Sequence, residues 1–460
     1  MDASTYRDRR RRLRESVSDG ELLILGNLPI SRNYSDAHLP FRQDSSFLYF
    51  GAVNAPGLAL VIGRDGRTML YGPAPHPDDV VWYGPKPGLP EMAERAGVEA
   101  FGTWEDLASR LKGARSGGVP IHFLPPYRDD RRFQLGWLLG ERPETVGQGS
   151  SRELVRAVVA MRSIKSDDEV REIEDALSVT AAMYRAAFEK AQPHVDEAAV
   201  AAVMYAQAMA LGREMAFPPI VTVRGEVLHN ESYPNTLAAG DLLLIDSGAE
   251  SAGGYASDIT RTLPVAGRFE PEQRDIYEVV LAAQLAAIAA AGPGTTNREV
   301  HLVAARTIGS GLKEIGLMRG DIDAAVEAGA HALFFPHGIG HMLGLDAHDM
   351  EDLGDVVGYA EGESRSSQFG LGYLRLARTL EPGYVITIEP GVYFIPALID
   401  RWRREGRHAD FIRYDRVQAF RAFGGIRIED DVLITESGSR VLGPGIAKSV
   451  EELESLGRRI

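Results

Sequence analysis

A nine-residue pattern that occurs twice constrains the fold of this chain more than any other feature of the sequence. Residues 240–248 (GDLLLIDSG) and 383–391 (GYVITIEPG) both consist of glycine, a largely apolar run, a carboxylate, one further residue and glycine. An apolar run of this length between turn-forming residues predicts a β-strand. Two such strands, each ending on an acid, would bring Asp246 and Glu389 together at a pseudo-twofold centre.

A carboxylate at the end of an apolar strand is costly to bury unless something compensates its charge. The alternative is that each acid only caps a turn, since Asp before Ser-Gly is ordinary turn chemistry. Two further acids favour a functional cluster. Asp258 follows Asp246 by 12 residues, a spacing that suits a hairpin with its turn at 253–254. Glu429 also lies inside an apolar strand pattern, at 424–431 (GGIRIEDD).

A histidine-glycine segment supplies candidate nitrogen ligands. Residues 335–341 (FPHGIGH) contain His337 and His341 around two glycines, and His348 follows. This is not the helical His-Glu-x-x-His zinc motif, because the glycines disfavour a helix and no Glu follows the first histidine. We therefore expect a loop or a strand end.

Four carboxylates and one histidine form a hard, oxygen-rich ligand set. Such a set favours manganese, magnesium or iron(II), with cobalt and zinc as alternatives. Four acids exceed the charge that one divalent ion balances, so we expect two ions about 3.5–4 Å apart that share bridging carboxylates. A water between them would lose its proton near neutral pH and act as the nucleophile. The predicted ligands are Asp246, Asp258, His341, Glu389 and Glu429.

The composition excludes several other classes of protein. The chain has no cysteine, which removes disulfides, thiolate nucleophiles and Cys-ligated zinc. Its net charge of −15 disfavours nucleic acid as a partner, and the basic run at 7–14 is interleaved with acids, as on a solvated helix face. No apolar stretch approaches the length of a membrane span. The first fifteen residues are charged and lack an apolar core, so we expect no secretory signal and a cytoplasmic location.

The length of 460 residues predicts two to three domains. In the first 150 or so residues, strand-like runs at 22–25, 57–62 and 68–71 alternate with turns, which indicates an α/β domain. Ser166 then begins a Ser-x-x-Glu capping box, and helical periodicity returns at 195–211 and 274–291. Long helices with short strands predict an α+β second domain, with the boundary at 158/159.

Five segments of the chain resemble the motifs of a known family. The segments IDSGAE, SDITRT, HGIGHMLGLDAHD, LEPGYVITIEPGVY and GGIRIEDD resemble the pita-bread metallopeptidases, in the branch of Xaa-Pro aminopeptidase (aminopeptidase P) and prolidase. FRQDSSF at 41–47 resembles the first domain of that branch. The resemblance implies an α+β protein with a creatinase-like N-terminal α/β domain at 1–158, which serves assembly and pocket closure. A pita-bread catalytic domain would occupy 159–460.

The resemblance also assigns roles to the ligands. Asp246 would bind one metal, Asp258 and Glu429 would bridge both, and His341 and Glu389 would bind the other. Glu389 would in addition carry a proton from the attacking water to the leaving nitrogen. Manganese is the first expectation for both ions, with cobalt or zinc as alternatives.

Three histidines are implied to act on the substrate. His229 would lie on the substrate side, His337 would polarise or position the scissile carbonyl, and His348 would stabilise the tetrahedral oxyanion. For each of them the alternative is a hydrogen-bonded histidine without a role in the reaction.

Substrate length is left open. Arg375 resembles the prolidase arginine that receives the C-terminal carboxylate of a dipeptide, and the long stretch between the last two ligands is also prolidase-like. The N-terminal half, with FRQDSSFLYF and VVWYGPKPG, instead resembles aminopeptidase P. Arg427 would orient the metal carboxylates or bind substrate, or else form a structural salt bridge. Trp82 would reach the active site of a neighbouring subunit, or be an ordinary interface or core aromatic, and a homodimer or homotetramer is expected.

The resemblance thus favours a metallopeptidase that removes the N-terminal residue from Xaa-Pro peptides, with Xaa-Pro dipeptidase as the alternative. Proline calls for a dedicated enzyme because its imide nitrogen carries no proton and its ring fixes φ. A remoter alternative is a non-catalytic pita-bread binding protein. Relatives of that kind lose metal ligands, whereas all five are present here.

Overall fold

The computed structural model describes residues 1–74, 78–230 and 232–457. The chain divides into two compact units. Unit 1 comprises Met1–Arg162 with Asp352–Gly354, and unit 2 comprises Ser163–Glu351 with Asp355–Ile460. Within the described ranges, no helix combines the length and the apolar character needed to cross a membrane.

The first unit alternates helices with strands, and the last of its helices reaches the border with unit 2. Its elements are α1 (Ala3–Ser16), β1 (Glu21–Leu25), α2 (Ser45–Gly51), β2 (Ala59–Ile62), β3 (Thr68–Gly72), α3 (Asp79–Tyr83), α4 (Leu89–Ala96), β4 (Ala100–Thr103), α5 (Trp104–Ser116), β5 (Ile121–Phe123), α6 (Asp129–Leu139) and α7 (Arg152–Ser163). The domain boundary expected at 158/159 falls within α7.

A mixed sheet in the order β4-β3-β2-β1-β5 organises unit 1. β1, β2 and β3 pair antiparallel, while β5 and β4 add in parallel at the two edges. The three strands expected from the sequence are β1, β2 and β3, and all three are confirmed. Alternate residues of β1 and β2 point to one face and pack against apolar side chains of α5 and α6, as the two-residue period of a strand requires.

The second unit holds longer helices and short strands. Its elements are α8 (Asp167–Lys190), α9 (Glu197–Ala210), β6 (Ile220–Thr222), β7 (Leu242–Ser247), β8 (Ile259–Pro264), α10 (Pro271–Ala290), α11 (Asn297–Glu314), α12 (Ile322–Ala328), β9 (Val385–Ile388), β10 (Gly391–Tyr393), α13 (Pro396–Arg404), α14 (Tyr414–Val417), β11 (Gly425–Arg427), β12 (Asp430–Thr435), β13 (Gly438–Val441) and α15 (Val450–Gly457). Short 3-10 helices lie at Val146–Gly149, Ala330–Leu333, Glu351–Leu353, Asp355–Val357, Leu371–Tyr373 and Gln418–Phe420.

The helices expected in this unit are confirmed, with one shifted start. Ser166 caps α8: its backbone N–H donates to Glu169 Oε2 at 3.0 Å, and its Oγ accepts from the Glu169 N–H at 3.4 Å. α10 begins at Pro271, three residues before the expected start. Proline is favoured in the first turn of a helix, where its missing N–H has no partner to lose.

The repeated pattern forms two equivalent antiparallel pairs. β7 pairs with β8, and β9 pairs with β12. The expected hairpin turn is confirmed, because the Ser251 N–H donates to Tyr255 O at 2.8 Å and Gly254 adopts φ +81° between them. A bridge between Thr260 and Glu429 brings the two pairs together. In each pair, the first strand carries one acid or is directly followed by it, and a second acid directly precedes the partner strand.

Candidate metal centre

The two strand pairs and the histidine segment converge on one cluster of ligand atoms. Asp258, His341 and Glu429 are buried, and one ligand atom from each lies within 4.8 Å of the others. The Nε2 atom of His341 is 3.6 Å from Asp258 Oδ2 and 3.7 Å from Glu389 Oε1. Asp246 stands opposite Thr260 in the β7–β8 register, and Thr260 Oγ1 donates to Glu429 Oε2 at 2.6 Å. All five predicted ligands thus meet in unit 2.

Backbone hydrogen bonds fix the ligands at the ends of strands. The Asp258 N–H donates to Asp431 Oδ2 at 3.0 Å, and the Glu429 N–H donates to Thr260 O at 3.1 Å. The Glu389 N–H donates to Ile339 O at 2.8 Å, which ties the β9 end to the histidine segment. The segment lies so close to β9 that a Cβ on Gly340 would overlap the carbonyl of Thr387. Glycine is needed there to let the two backbones approach.

The acids repel one another in the absence of a cation. Burial, and then the charge of the neighbouring acids, raises the pKa of Asp258 and of Glu429 well above their usual values. Burial also raises the pKa of Glu389 to about 7, with Asp246 adding to the rise. In the described parts of the chain, Asp246 Oδ1 and Asp258 Oδ1 are buried without a hydrogen-bond partner. Buried carboxylate oxygens left in this way fit divalent cations as their missing partners.

His341 is poised as a neutral ligand. Burial lowers its pKa well below the usual range, so the ring is uncharged near neutral pH. Its Nδ1 is 3.1 Å from the carbonyl of Met342, which fixes Nδ1 as the protonated nitrogen. The unprotonated Nε2 then faces Asp258 and Glu389. Metal-binding histidines are commonly oriented by such a bond from the other ring nitrogen.

Arg427 connects the carboxylates to a neighbouring tyrosine. Its Nη2 donates to Asp246 Oδ2 at 2.5 Å, its Nε donates to Thr260 Oγ1 at 3.1 Å, and its Nη1 donates to the hydroxyl of Tyr393 at 3.0 Å. The guanidinium is buried, so each of these bonds is made away from solvent. Arg427 therefore holds Asp246 in a fixed orientation.

His337 is held by two bonds inside the protein. Its Nδ1 is 2.8 Å from Gly338 O, and its Nε2 is 2.8 Å from the Tyr393 hydroxyl. Burial, with the charge of Arg427, lowers the pKa of His337 to about 3. A neutral ring that donates from Nδ1 must accept at Nε2, so the Tyr393 hydroxyl donates to it. A direct bond from His337 to a substrate would have to replace one of these two.

The predicted substrate residues lie at different places. His229, His337 and Arg375 line one cavity of about 500 Å³. The His348 ring lies 4.3 Å from the His341 ring, centroid to centroid, and its Nδ1 is 2.6 Å from Glu351 Oε2. The remaining lining residues of the cavity are mainly apolar: Leu228, Pro336, Phe369, Tyr373, Ile395, Ala397, Leu398 and Arg401.

Trp82 lies in unit 1, on the short helix α3. Its side chain is 78% exposed, so it is not a core aromatic. A side chain this exposed does not contribute to the packed interior of unit 1.

Sequence reasoning missed several residues of the centre. Asp431 is buried, with a pKa that burial raises well above the usual range. The two-residue period of a strand could have indicated it, because it lies two positions after Glu429. Glu351 accepts from Arg375 Nε at 3.0 Å as well as contacting His348, and Tyr393 joins His337 to Arg427. No motif singles out either of these two.

Comparisons with known proteins bear on this centre. The family model of Metallopeptidase family M24 matches residues 171–436, and that of Aminopeptidase P, N-terminal domain matches residues 6–119. The Xaa-Pro aminopeptidase of Escherichia coli (strain K12) is 31% identical over 470 residues, which cover 98% of this chain and 97% of that protein. The Xaa-Pro dipeptidase of Homo sapiens is 30% identical over 468 residues, which cover 97% of this chain and 90% of that protein. Among solved structures, an alanine variant of Escherichia coli aminopeptidase P in complex with substrate aligns over 100% of both chains, with a TM-score of 0.82 and 28% identity.

Proposed function

Because this chain belongs to metallopeptidase family M24, we propose that its five clustered ligands hold two divalent metal ions and that the centre removes the N-terminal residue from peptides with proline in second position. The predicted family, the two-domain fold and the class of proline-specific metallopeptidase are confirmed by the comparisons. The observation that carries the proposal is the meeting of four acids and a neutral imidazole at buried strand ends.

The proposed ligand roles follow the predicted pattern. Asp246 would hold one ion, His341 and Glu389 would hold the other, and Asp258 and Glu429 would contribute to both. Divalent ions, when bound, supply Lewis-acid activation of water near neutral pH, and the oxygen-rich ligand set suits manganese first. Glu389 would also accept a proton from water and return it to the leaving nitrogen. A prolyl nitrogen requires that proton, because it carries none of its own in the peptide.

The histidines are proposed to act around this centre. His229 and His337 face the cavity and position the substrate, and His348 stabilises the developing oxyanion. Both ring nitrogens of His337 are hydrogen-bonded inside the protein, so His337 acts on the substrate through the Tyr393 hydroxyl. Glu351 is ionised, because the bond from His348 lowers its pKa to about 2, and it therefore orients the His348 ring.

Xaa-Pro dipeptidase is the second candidate, and one observation favours it. Arg375 lines the same cavity as His337, where its guanidinium can bind the C-terminal carboxylate of a dipeptide. The two candidates share the metal centre and differ only in the length of the peptide that is cleaved.

The test is hydrolysis by the metal-loaded protein. Ala-Pro and Ala-Pro-Ala are compared with manganese, cobalt or zinc present, and we expect cleavage before proline, fastest with manganese. Asp258→Asn and Glu429→Gln should abolish cleavage, whereas Glu272→Gln, an exposed acid on α10, should not. Cleavage of Ala-Pro alone would make the protein a dipeptidase. A protein that binds metal and cleaves neither peptide would instead be a non-catalytic binding protein.

Assembly and location remain proposals. We propose that residues 1–158 form the domain that assembles a homodimer or homotetramer, and that the exposed Trp82 contributes to the active site of a neighbouring subunit. Light scattering of the protein and of a Trp82→Ala variant would test this. We propose a cytoplasmic location and neither a nucleic acid nor a membrane as partner; the net charge of −15 disfavours binding to nucleic acid.

A further inference from the structure

The substrate cavity carries positive charge although the whole chain is acidic. The net charge of the protein is −15, yet the charged side chains that line the cavity are Arg375 and Arg401. No carboxylate stands among the described lining residues. A concave site with one sign of charge concentrates ligands of the opposite sign. The cavity is therefore built for a peptide that presents a carboxylate.

The two arginines differ in how they are connected to the candidate metal centre. Arg375 contacts Glu351, Glu351 contacts His348, and the His348 ring packs on the metal ligand His341. This chain of contacts puts Arg375 at the inner end of the cavity. Part of its charge is already offset by Glu351.

Arg401 is exposed to solvent, whereas Arg375 is only partly exposed, so Arg401 marks the outer side of the cavity. It extends from α13, on the same helix face as Ala397 and Leu398, and all three line the cavity. Its side chain is exposed, and its guanidinium carbon lies 5.9 Å from the ring centroid of Phe369. Across the described residues it forms no ion pair, whereas its neighbour Asp400 is paired with Arg421. Arg401 therefore keeps its charge available to a ligand.

We propose that Arg401 is a specificity-determining residue that binds the C-terminal carboxylate of Xaa-Pro-Yaa peptides, one residue beyond the carboxylate that Arg375 accepts from a dipeptide. One more residue extends a peptide by about 3.5 Å, which moves the carboxylate outward from the inner arginine. A cavity of about 500 Å³ lies in the size range that encloses drug-sized ligands, comparable to a short peptide. The inference rests on the proposed function. It adds a second carboxylate-binding residue, so that one cavity accepts both dipeptides and tripeptides.

The test compares three substrates with two variants of the full-length, metal-loaded protein. The substrates are Ala-Pro, Ala-Pro-Ala and Ala-Pro-Ala amide, which lacks the terminal charge. Arg401→Gln removes the charge and keeps most of the stem, and Arg403→Gln is the matched control because it alters an exposed arginine of the same helix outside the cavity. Wild-type protein should prefer the free tripeptide over its amide, and this preference should weaken as salt is added.

In Arg401→Gln, the ratio of kcat/KM for Ala-Pro-Ala to that for Ala-Pro should fall about tenfold, mainly through a higher KM for the tripeptide. A tenfold change corresponds to the lower end of the free energy of a charge-assisted hydrogen bond. The ratio should stay at the wild-type value in Arg403→Gln. An equal change for all three substrates, or no preference of the wild-type protein for the free acid, would overturn the inference. The comparison of free acid with amide needs no variant, so a failure of Arg401→Gln to fold leaves the test intact. Absence of hydrolysis of every Xaa-Pro peptide would instead overturn the proposed function.

Discussion

Single side chains outside the proposed ligand set hold the clustered carboxylates and the cavity residues in one arrangement. The hydroxyl of Tyr393 donates to His337 and accepts from Arg427, and Arg427 in turn donates to Asp246. One hydroxyl therefore joins Asp246, a proposed metal ligand, to a residue of the cavity through Arg427. Because this network is buried, each bond that it loses leaves a polar atom without a partner.

Tyr393→Phe tests that connection. The variant keeps the ring and leaves His337 Nε2 and Arg427 Nη1 each without one partner, so we expect kcat/KM for Ala-Pro-Ala to fall about ten- to a hundredfold. Metal content should stay unchanged, because Tyr393 is not a ligand. Tyr205→Phe, which alters a partly exposed tyrosine on α9, is the control. Unchanged kcat/KM in Tyr393→Phe would show that the hydroxyl does not serve the reaction.

Two buried histidines predict how stability depends on pH. His301 and His331 are fully buried with ring centroids 6.0 Å apart, and within the described ranges their ring nitrogens have no hydrogen-bond partner. Burial lowers the pKa of His331 from 6.5 to about 4. Between these values the unfolded chain binds a proton that the folded protein does not, so stability is lost as the pH falls from about 6.5 to about 4.

His331→Leu should remove this part of the pH dependence. We expect the free energy of unfolding of wild-type protein, relative to the variant, to fall by on the order of 3 kcal/mol between pH 7.5 and pH 4. Urea unfolding of both proteins at several pH values measures it, at a constant metal concentration. A difference between the two proteins that stays constant with pH would contradict the assignment of a neutral, buried His331.

The clustering of the proposed ligands could be predicted from the sequence, whereas the residues that support them could not. Asp246 and Glu389 stand out because an acid after an apolar strand needs a physical reason. Tyr393 and Glu351 do not, because an aromatic residue in a strand is typical of a core and an acid in a loop is typical of a surface. Their roles come from contacts with residues such as Arg427 and His348, which only the folded chain brings near.

Among the strands, the positions of closest approach determine whether the acids can meet. Gly248 ends the first copy of the repeated pattern, and a Cβ there would overlap the carbonyl of Ser257, next to Asp258. Gly240 begins the same copy, and a Cβ added there would meet no other atom within 4 Å. The two glycines of one motif are therefore a matched pair for the same substitution.

Gly248→Ala should destabilise the protein and weaken metal binding, because the overlap pushes Asp258 away from Asp246. We expect a loss of at least 1–3 kcal/mol in the free energy of unfolding, the usual cost of overfilling a packed site. Gly240→Ala should leave both properties near the wild-type values. Urea unfolding and metal analysis of the purified variants measure them. Similar behaviour of the two variants would argue against the close approach.

Regular elements are located best from the sequence where capping and periodicity agree. The capping box at Ser166 predicts the start of α8, and the apolar runs between turns predict β1 to β3. The helix α13 is not predicted, although Pro396 at its first turn is a known start signal. It lies in the long stretch between the last two ligands, where a single start signal stands without a capping box to support it.

Over the whole chain, the division into two units agrees with the two family matches at 6–119 and 171–436. The fold class was predictable because unit 2 holds the repeated strand pattern and most of the motifs, and FRQDSSF at 41–47 marks unit 1. The exact domain boundary at 158/159 stays a prediction, since a helix spans the transition and gives no break in composition. Assembly also stays a prediction, because one chain carries no direct mark of its partners.

Metal binding should couple the stability of the protein to pH. Without metal, Glu389 has a folded-state pKa of about 7 against an ordinary 4.5, so the folded protein binds the extra proton between these values. Its contribution to stability is therefore present at low pH and is lost as the pH rises from about 4.5 to 7. Divalent ions compete with protons for the same carboxylates, and their stabilising effect should grow across the same window.

Thermal unfolding with manganese or with a chelator, at pH 5.5 and at pH 7.5, tests this coupling. A free metal concentration 100 times Kd adds about 2.7 kcal/mol, which raises Tm by on the order of 5 °C. We expect a shift of this size at pH 7.5 and a smaller one at pH 5.5, where Glu389 and its neighbours hold protons. Asp258→Asn should lose most of the response at both pH values, since a proposed ligand carboxylate becomes a neutral amide. A manganese effect that is equal at the two pH values would mean that the protons and the metal do not share these carboxylates.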